Sequence, residues 1–343
     1  MFIPFDNDAR QKYFQILNKV FDSGVLSNGK TLREFENKFS SFVGIESKAV
    51  SNGGVALLSI LDYIDVRNKE VIVPSNTFWA TILAIKKAGG KVVYSDCNKE
   101  DLCLSFEDMK QRITPETKAV VVVHIGGHIA FEIEKITEYC KKNNIYLIED
   151  CAHAHGASFK GKSAGSWGFA GAYSFYATKT MTTGEGGIVV SKNQDFLNWL
   201  EEYRNYGGKI IDGKVTYPVL DGFNYRMNEI TAALGIIQLE RLPEILDWKN
   251  NLAIKFSQIF KNRIKFPNEM TSGYYKYIVF GYNLKEETGK VYDYNDLGHV
   301  IDKINIDLPN TSWISKHHVC APIYHGWINA CKPIAELEKY LIK

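Results

Sequence analysis

Four short stretches of this chain carry residue types that could do covalent chemistry. Asn144–Ile148 reads as a strand that runs into Glu149-Asp150. A lone carboxylate at a strand end more often caps the next turn than reacts. Further on, the strand-like Ala172–Phe175 leads into Ala177-Thr178-Lys179 and then Thr183-Gly184-Glu185-Gly186-Gly187. A single lysine after a strand is usually solvated. Here small and hydroxyl neighbours and a glycine-rich turn suit a lysine held in a pocket, where burial lowers its pKa and makes it a nucleophile toward an aldehyde. Upstream, Ser51-Asn52-Gly53-Gly54 opens a helix, and free N–H groups at a helix start can seat a phosphate. Asn-Gly also marks ordinary turns, so alone this signal is weak. Pro74-Ser75-Asn76-Thr77-Phe78-Trp79 puts two aromatics at another strand end, where they serve as core or cover a planar ring.

Together these features ask for a ligand with a phosphate, a planar ring, a basic ring nitrogen for Asp150 and an aldehyde for Lys179. Pyridoxal phosphate meets all four requirements. The stretches must then meet in space, which needs elements that bring strand ends together. Apolar runs at Glu70–Val73, Lys91–Tyr94, Lys118–Val123, Ile145–Ile148 and Ala172–Phe175 alternate with helix-period stretches such as Thr77–Ala88 and Ala130–Asn143. That pattern predicts an α/β fold, a mostly parallel sheet with helices on both faces, whose ligands gather at the carboxyl ends of the strands. Glu229–Leu242 reads as an amphipathic helix ended by Pro243, with a second helical stretch over Ile245–Phe260. A large domain over residues 1–245 and a smaller one over 246–343 are expected, with the N-terminal helix Asp8–Asp22 packed on one of them.

Composition narrows the function classes. With 41 Lys plus Arg against 39 Asp plus Glu, the net charge is +2, too balanced for a surface that binds nucleic acid or an anionic membrane by charge. The apolar run Ala119–Val123 is of strand length, far below the roughly 20 residues that span a bilayer. The start MFIPFDNDARQKYF lacks the apolar core of a secretory leader. Six cysteines without a C-x-x-C pair read as reduced thiols in a cytoplasmic protein. His124 and His128, and the late His317, His318 and His325, show no metal-binding spacing, so no metal is expected. No Walker A loop or G-x-G-x-x-G fingerprint supports nucleotide hydrolysis or hydride transfer.

The run EDCAHAHGASFKGKSAGSWGFAGAYSFYATKTMTTGEGG closely resembles the central motif of the DegT/DnrJ/EryC1/StrS family of PLP-dependent sugar aminotransferases. SGVLSNGKTLREFENKF, SNGGVALL, PSNTFWAT and DGFNYRMNEITAALGIIQLERL extend the resemblance over most of residues 1–245. It implies the type I, aspartate aminotransferase-like fold with a smaller C-terminal α/β domain. It also implies roles: Lys179 as the Schiff-base lysine and proton carrier, Asp150 on the pyridinium nitrogen, Phe78 stacked on the ring, and Ser174 with Gly53 and Gly54 on the phosphate. Asn224 would reach the phosphate in a neighbouring subunit, which implies a homodimer with shared sites. Three positions depart from the family pattern: His153 replaces the usual Gln that bonds the ring hydroxyl, Gly54 a Thr, and Tyr206 a common His.

The resemblance implies transfer of an amino group from a donor such as L-glutamate to a keto sugar, typically nucleotide-linked, for lipopolysaccharide, capsule or another surface polysaccharide. The sequence stops soon after PIYHGWINACKPIAELEKYLIK, earlier than family members usually do, which leaves open a smaller phosphorylated ketone or a rebuilt nucleotide surface. A related dehydratase would carry His in place of Lys179. A non-catalytic PLP-binding regulator would not need Lys179, Asp150 and the phosphate seat together.

Overall fold

The computed structural model describes residues 4–342. In chain order come helices α1 (Asn7–Ser23) and α2 (Lys30–Val43), then strand β1 (Ser47–Val50) and α3 (Gly53–Tyr63). Next are β2 (Glu70–Pro74), α4 (Trp79–Lys87), β3 (Lys91–Ser95), α5 (Phe106–Arg112) and β4 (Thr117–Val123). After α6 (Ile133–Lys142) follow β5 (Tyr146–Asp150), β6 (Ala170–Ser174), β7 (Gly187–Ser191), α7 (Gln194–Tyr203) and α8 (Glu229–Ile259). These strands make one seven-stranded sheet in the order β1-β7-β6-β5-β4-β2-β3. Strands β6, β5, β4, β2 and β3 run parallel, while β7 lies antiparallel to both neighbours. The α/β architecture expected from the alternation of apolar runs is therefore present.

The five runs named from sequence lie within a few residues of β2 to β6. Strand β4 is buried from Ala119 to Val123 on both faces, as a central parallel strand must be when helices cover each side. Asn52 caps α3, its Oδ1 accepting the Val55 N–H at 2.9 Å, which starts that helix at the glycine pair.

One expectation is corrected. Pro243 does not end a helix: α8 runs unbroken through it for 31 residues. An interior proline costs about 3 kcal/mol, but Leu239, Leu242 and Ile245 around it are all buried, and that burial holds both halves in one rod. The boundary expected near residue 245 falls inside this helix. Its first half, with Ile236, Leu239 and Leu242, belongs to the main core, while Leu252, Phe256 and Ile259 build a second, smaller core. Helices α1 and α2 pack against α8. A two-stranded ladder, β8 (Tyr277–Phe280) with β9 (His318–Ala321), divides the cores by strand alternation. Ile278 and Cys320 enter the main core, and Tyr277, Val279, Val319 and Ala321 the smaller one.

The end of β5 is held by a fully buried carboxylate. Glu149 accepts N–H groups from Gly165 (2.7 Å), Trp167 (2.7 Å) and Gly168 (2.8 Å), and His124 Nε2 lies 2.9 Å away. His124 Nδ1 accepts from Ala130 N–H, which assigns the ring proton to Nε2 as the donor to Glu149. Glu149→Ala would leave all four donors without an acceptor. We expect it to lower the unfolding free energy by about 3–5 kcal/mol, seen as a lower urea midpoint, with Glu149→Gln intermediate. An unchanged midpoint would remove this network from the list of fold determinants.

Candidate active site

Seven of the eight residues singled out from sequence line one cavity of about 580 Å³: Gly53, Gly54, Phe78, Asp150, His153, Ser174 and Lys179. That volume suits a small ligand. It sits at the carboxyl ends of β2, β4, β5 and β6. Asn224 does not line it; the side chain is exposed, in a stretch bridged to Asn205.

Strand alternation sends Asp150 to the opposite side of β5 from Glu149. Asp150 is 5% exposed; its Oδ2 accepts from the Thr81 hydroxyl at 2.8 Å and its Oδ1 from the Ala152 N–H at 3.0 Å. Both contacts fix the orientation of the carboxylate. Lys179 follows β6 by one short turn and is half-buried, its Nζ 4.8 Å from the centre of the Tyr275 ring. Burial lowers its pKa to about 8, against the pull of Asp150, and Lys276 lowers it further. The lysine was expected to have a depressed pKa, and desolvation is the larger cause.

Gly53 and Gly54 form the first turn of α3, whose amides have no partners within the helix. A Cβ at Gly53 would lie 2.7 Å from the Ser174 Cβ, so only glycine lets this helix end and the end of β6 approach so closely. The result is a cradle of N–H groups and one hydroxyl, a donor set suited to a phosphate.

His153 stacks on Tyr275 with ring centres 4.1 Å apart and 24° between planes. Burial holds its pKa well below the usual imidazole value, with Lys179 adding to the effect, so the ring is neutral. Gly126 N–H donates to its Nδ1 at 3.4 Å. Phe78, expected over a planar ligand, lies at the mouth and is 65% exposed.

The cavity also contains residues that sequence reasoning missed. Thr81, Tyr275, Lys276, Lys290 and Tyr292 complete its wall. Thr81 lay inside a quoted motif without a role, two residues into α4. Tyr275 and Lys276 fell in a polar aromatic stretch with no pattern to link them to Lys179. His128, Asp101 and Glu149 are committed elsewhere. His128 is buried, its Nε2 3.0 Å from the Asp101 carbonyl, outside this cavity. The groups Asp101–Cys103–His128 and His124–Glu149–Cys151 have metal-type donors close together, but Asp101 and Glu149 already accept backbone N–H groups. A further cavity of about 760 Å³, lined by Lys99, Arg263 and Trp313 among others, contains none of the sequence-derived residues.

Residues 7–283 match the DegT/DnrJ/EryC1/StrS aminotransferase family, and the chain belongs to it. A GDP-perosamine synthase of Vibrio cholerae is 38% identical over 240 residues, 69% of this chain and 65% of that protein. Another GDP-perosamine synthase, from Escherichia coli O157:H7, is 34% identical over 77% of this chain and 72% of its own length. The solved aminotransferase from Psychrobacter cryohalolentis superposes with a TM-score of 0.81 at 26% identity, covering 94% of each chain. The type I fold and the pyridoxal phosphate dependence expected from the sequence accord with this membership.

The depressed pKa of Lys179 has a direct readout. Only a neutral amine adds to an aldehyde, so Lys179 should react with a small aldehyde as pH rises through about 8, whereas unperturbed lysines need roughly 10.4. Reductive trapping followed by peptide mass spectrometry measures this. A labelling midpoint for Lys179 equal to that of surface lysines would refute the burial argument.

Proposed function

We propose that this member of the family is a PLP-dependent aminotransferase that moves an amino group from an amino acid, L-glutamate on the family resemblance, to the keto carbon of a nucleotide-linked sugar. The observation that carries the proposal is the single cavity in which a half-buried lysine, a fixed carboxylate and a phosphate cradle meet. The two GDP-perosamine synthases reported above favour a nucleotide-linked ketone over the smaller phosphorylated one, and the family resemblance suggests a surface polysaccharide as the destination.

The residues fit the cofactor. The amides of Gly53 and Gly54 and the Ser174 hydroxyl would hold its phosphate, and Asp150 would keep the proton on its ring nitrogen. His153, neutral and stacked on Tyr275, would meet the ring hydroxyl in place of the family's Gln. Phe78 would cover the ring. When bound, the group supplies an aldehyde that takes up the amino group and a ring that accepts electrons from the donor's Cα. Lys179 supplies the amine for that aldehyde, and once freed is the base that moves the Cα proton. Its pKa of about 8 leaves part of it neutral near physiological pH. The dehydratase alternative needs His where Lys179 stands.

The proposal includes a homodimer. Ile210, Val215, Tyr217, Leu220 and Phe223 are 60–89% exposed in and after the hairpin of Lys209–Ile211 with Lys214–Thr216, an apolar surface of the kind that a second copy covers. Asn224 is part of this surface, free to reach a neighbour's phosphate. No helix among the described residues is long and apolar enough to cross a membrane. The cysteines are unpaired and five of six are buried, which suits the cytoplasm.

Purified protein with added pyridoxal phosphate should show a visible absorption band that L-glutamate discharges, and Lys179→Ala should lose that catalytic discharge. A band indifferent to every amino donor would favour the regulatory reading. The shared site has its own test. Lys179→Ala and Asn224→Ala homodimers, each inactive alone, should recover about a quarter of wild-type activity when their subunits are exchanged, since half the dimers then hold one intact site. No recovery would place both residues in one subunit's site.

A further inference from the structure

The cavity has more positive charge than its proposed cofactor uses. Three lysines line it, Lys179, Lys276 and Lys290, with two acidic residues, Asp150 and Glu185. Lys290 is already committed, with Asp293 Oδ1 at 3.1 Å and the Ser315 carbonyl at 2.5 Å. Asp150 shares the cavity with Lys179 and favours its charged form. Lys276 is left: its Nζ donates to a single neutral acceptor, the Thr288 carbonyl at 2.7 Å, and has no carboxylate within ion-pair distance among the described residues. A third amine, Lys249 Nζ, lies buried behind the cavity wall with only Thr180 Oγ1 (3.1 Å) and the Tyr274 carbonyl (3.0 Å) as partners. Both partners are neutral, so it brings no negative charge to the cavity.

Lys276 is also held firmly. Its N–H donates to the Gly126 carbonyl at 2.9 Å, and the Gly126 N–H points at His153. Gly126 has φ +72° and a Cβ there would strike Ile278 at 2.8 Å, so this crossing of chains requires glycine. The two bonds through Gly126 tie Lys276 to the same framework as His153. A half-buried cation with one neutral acceptor and a fixed backbone is set to receive an anion from outside.

We propose that Lys276 is the seat for the α-carboxylate of the amino donor, and so a specificity-determining residue of this active site. The inference rests on the aminotransferase reading. Distance within the reactants selects the carboxylate. In an amino acid it is two bonds from the nitrogen that must meet the aldehyde, so its partner has to share the cavity of Lys179, as Lys276 does. The diphosphate of a nucleotide-linked acceptor is separated from the ketone by sugar-ring atoms and needs a seat farther out. The cofactor phosphate has its own donors at the start of α3.

The experiment is a single-turnover titration of the holoenzyme, following discharge of the absorption band with L-glutamate and with its α-amide, which keeps the amine and lacks the α-charge. The wild type should need about 10- to 100-fold more of the α-amide, the usual weight of one charge-assisted contact in a part-buried site. Lys276→Met should raise the requirement for L-glutamate by a similar factor, erase the discrimination between the two donors, and place the loss in KM more than in kcat. Lys276→Arg should restore most of the discrimination. Uptake of pyridoxal phosphate should be the same in all three proteins.

Several results would overturn the inference. One is a wild type that uses the α-amide as well as L-glutamate, which needs no variant. Another is a Lys276→Met enzyme with unchanged donor affinity. A loss confined to pyridoxal phosphate uptake would reassign Lys276 to the cofactor phosphate, and a loss confined to the acceptor half-reaction would reassign it to the keto sugar. If no amino acid discharges the wild-type band, the functional reading falls and this inference with it. That outcome differs from a wild type that turns over while the variant binds donor equally well.

Discussion

Two adjacent carboxylates at the end of β5 organise this molecule, because a strand must point them in opposite directions. Glu149 turns into the protein and gathers three backbone amides and the His124 ring. Those amides belong to the segment that leads into β6, so one buried anion joins the end of β5 to the start of the strand that precedes Lys179. Asp150 turns the other way, into the cavity, where Thr81 and Ala152 fix its orientation. A misplaced Glu149 would misplace Asp150 and the path of the chain toward Lys179 together. The structural carboxylate and the one proposed to hold the cofactor are coupled by being neighbours on one strand.

The cavity's electrostatics follow from what surrounds it. Burial lowers the pKa values of Lys179 and Lys249, to about 8 and about 7, and keeps His153 neutral. Lys276 contributes to each shift, so the amines share one low-dielectric region and weaken one another's charged forms. Of the two carboxylates that line it, Asp150 is buried and Glu185 exposed, so the further anions that such a region needs arrive with its ligands. A site that stays short of negative charge until cofactor and donor bind makes their phosphate and carboxylate groups part of its own charge balance, which favours binding of anionic reactants over neutral ones.

Glycines set how closely the parts can approach. Gly53 brings the start of α3 against Ser174, and Gly126 lets the turn after β4 cross the segment just before β8 that carries Lys276. At the outer edge the pattern reverses, with large apolar side chains, Phe78 and Tyr176 at the mouth and Leu220 and Phe223 on the nearby chain, left exposed. A rigid interior and an apolar rim together suit a site completed by a second copy, as proposed for Asn224.

Much of this could be read from the chain alone. Alternation of apolar runs and helical stretches determined the parallel sheet, because burial on both faces demands continuous apolar strands. The glycine pair after Asn52, Asp150 at a strand end and Lys179 beside a glycine-rich turn were visible because each owes its setting to near neighbours in sequence. Tertiary structure alone decided the rest. It joined the two halves of α8 across Pro243, since buried contacts on both sides outweigh the local penalty. It also brought Tyr275 and Lys276 against Lys179 and placed Thr81 on Asp150. Local periodicity reports which face of an element is buried; which distant side chain then meets it depends on packing, and no spacing rule encodes that.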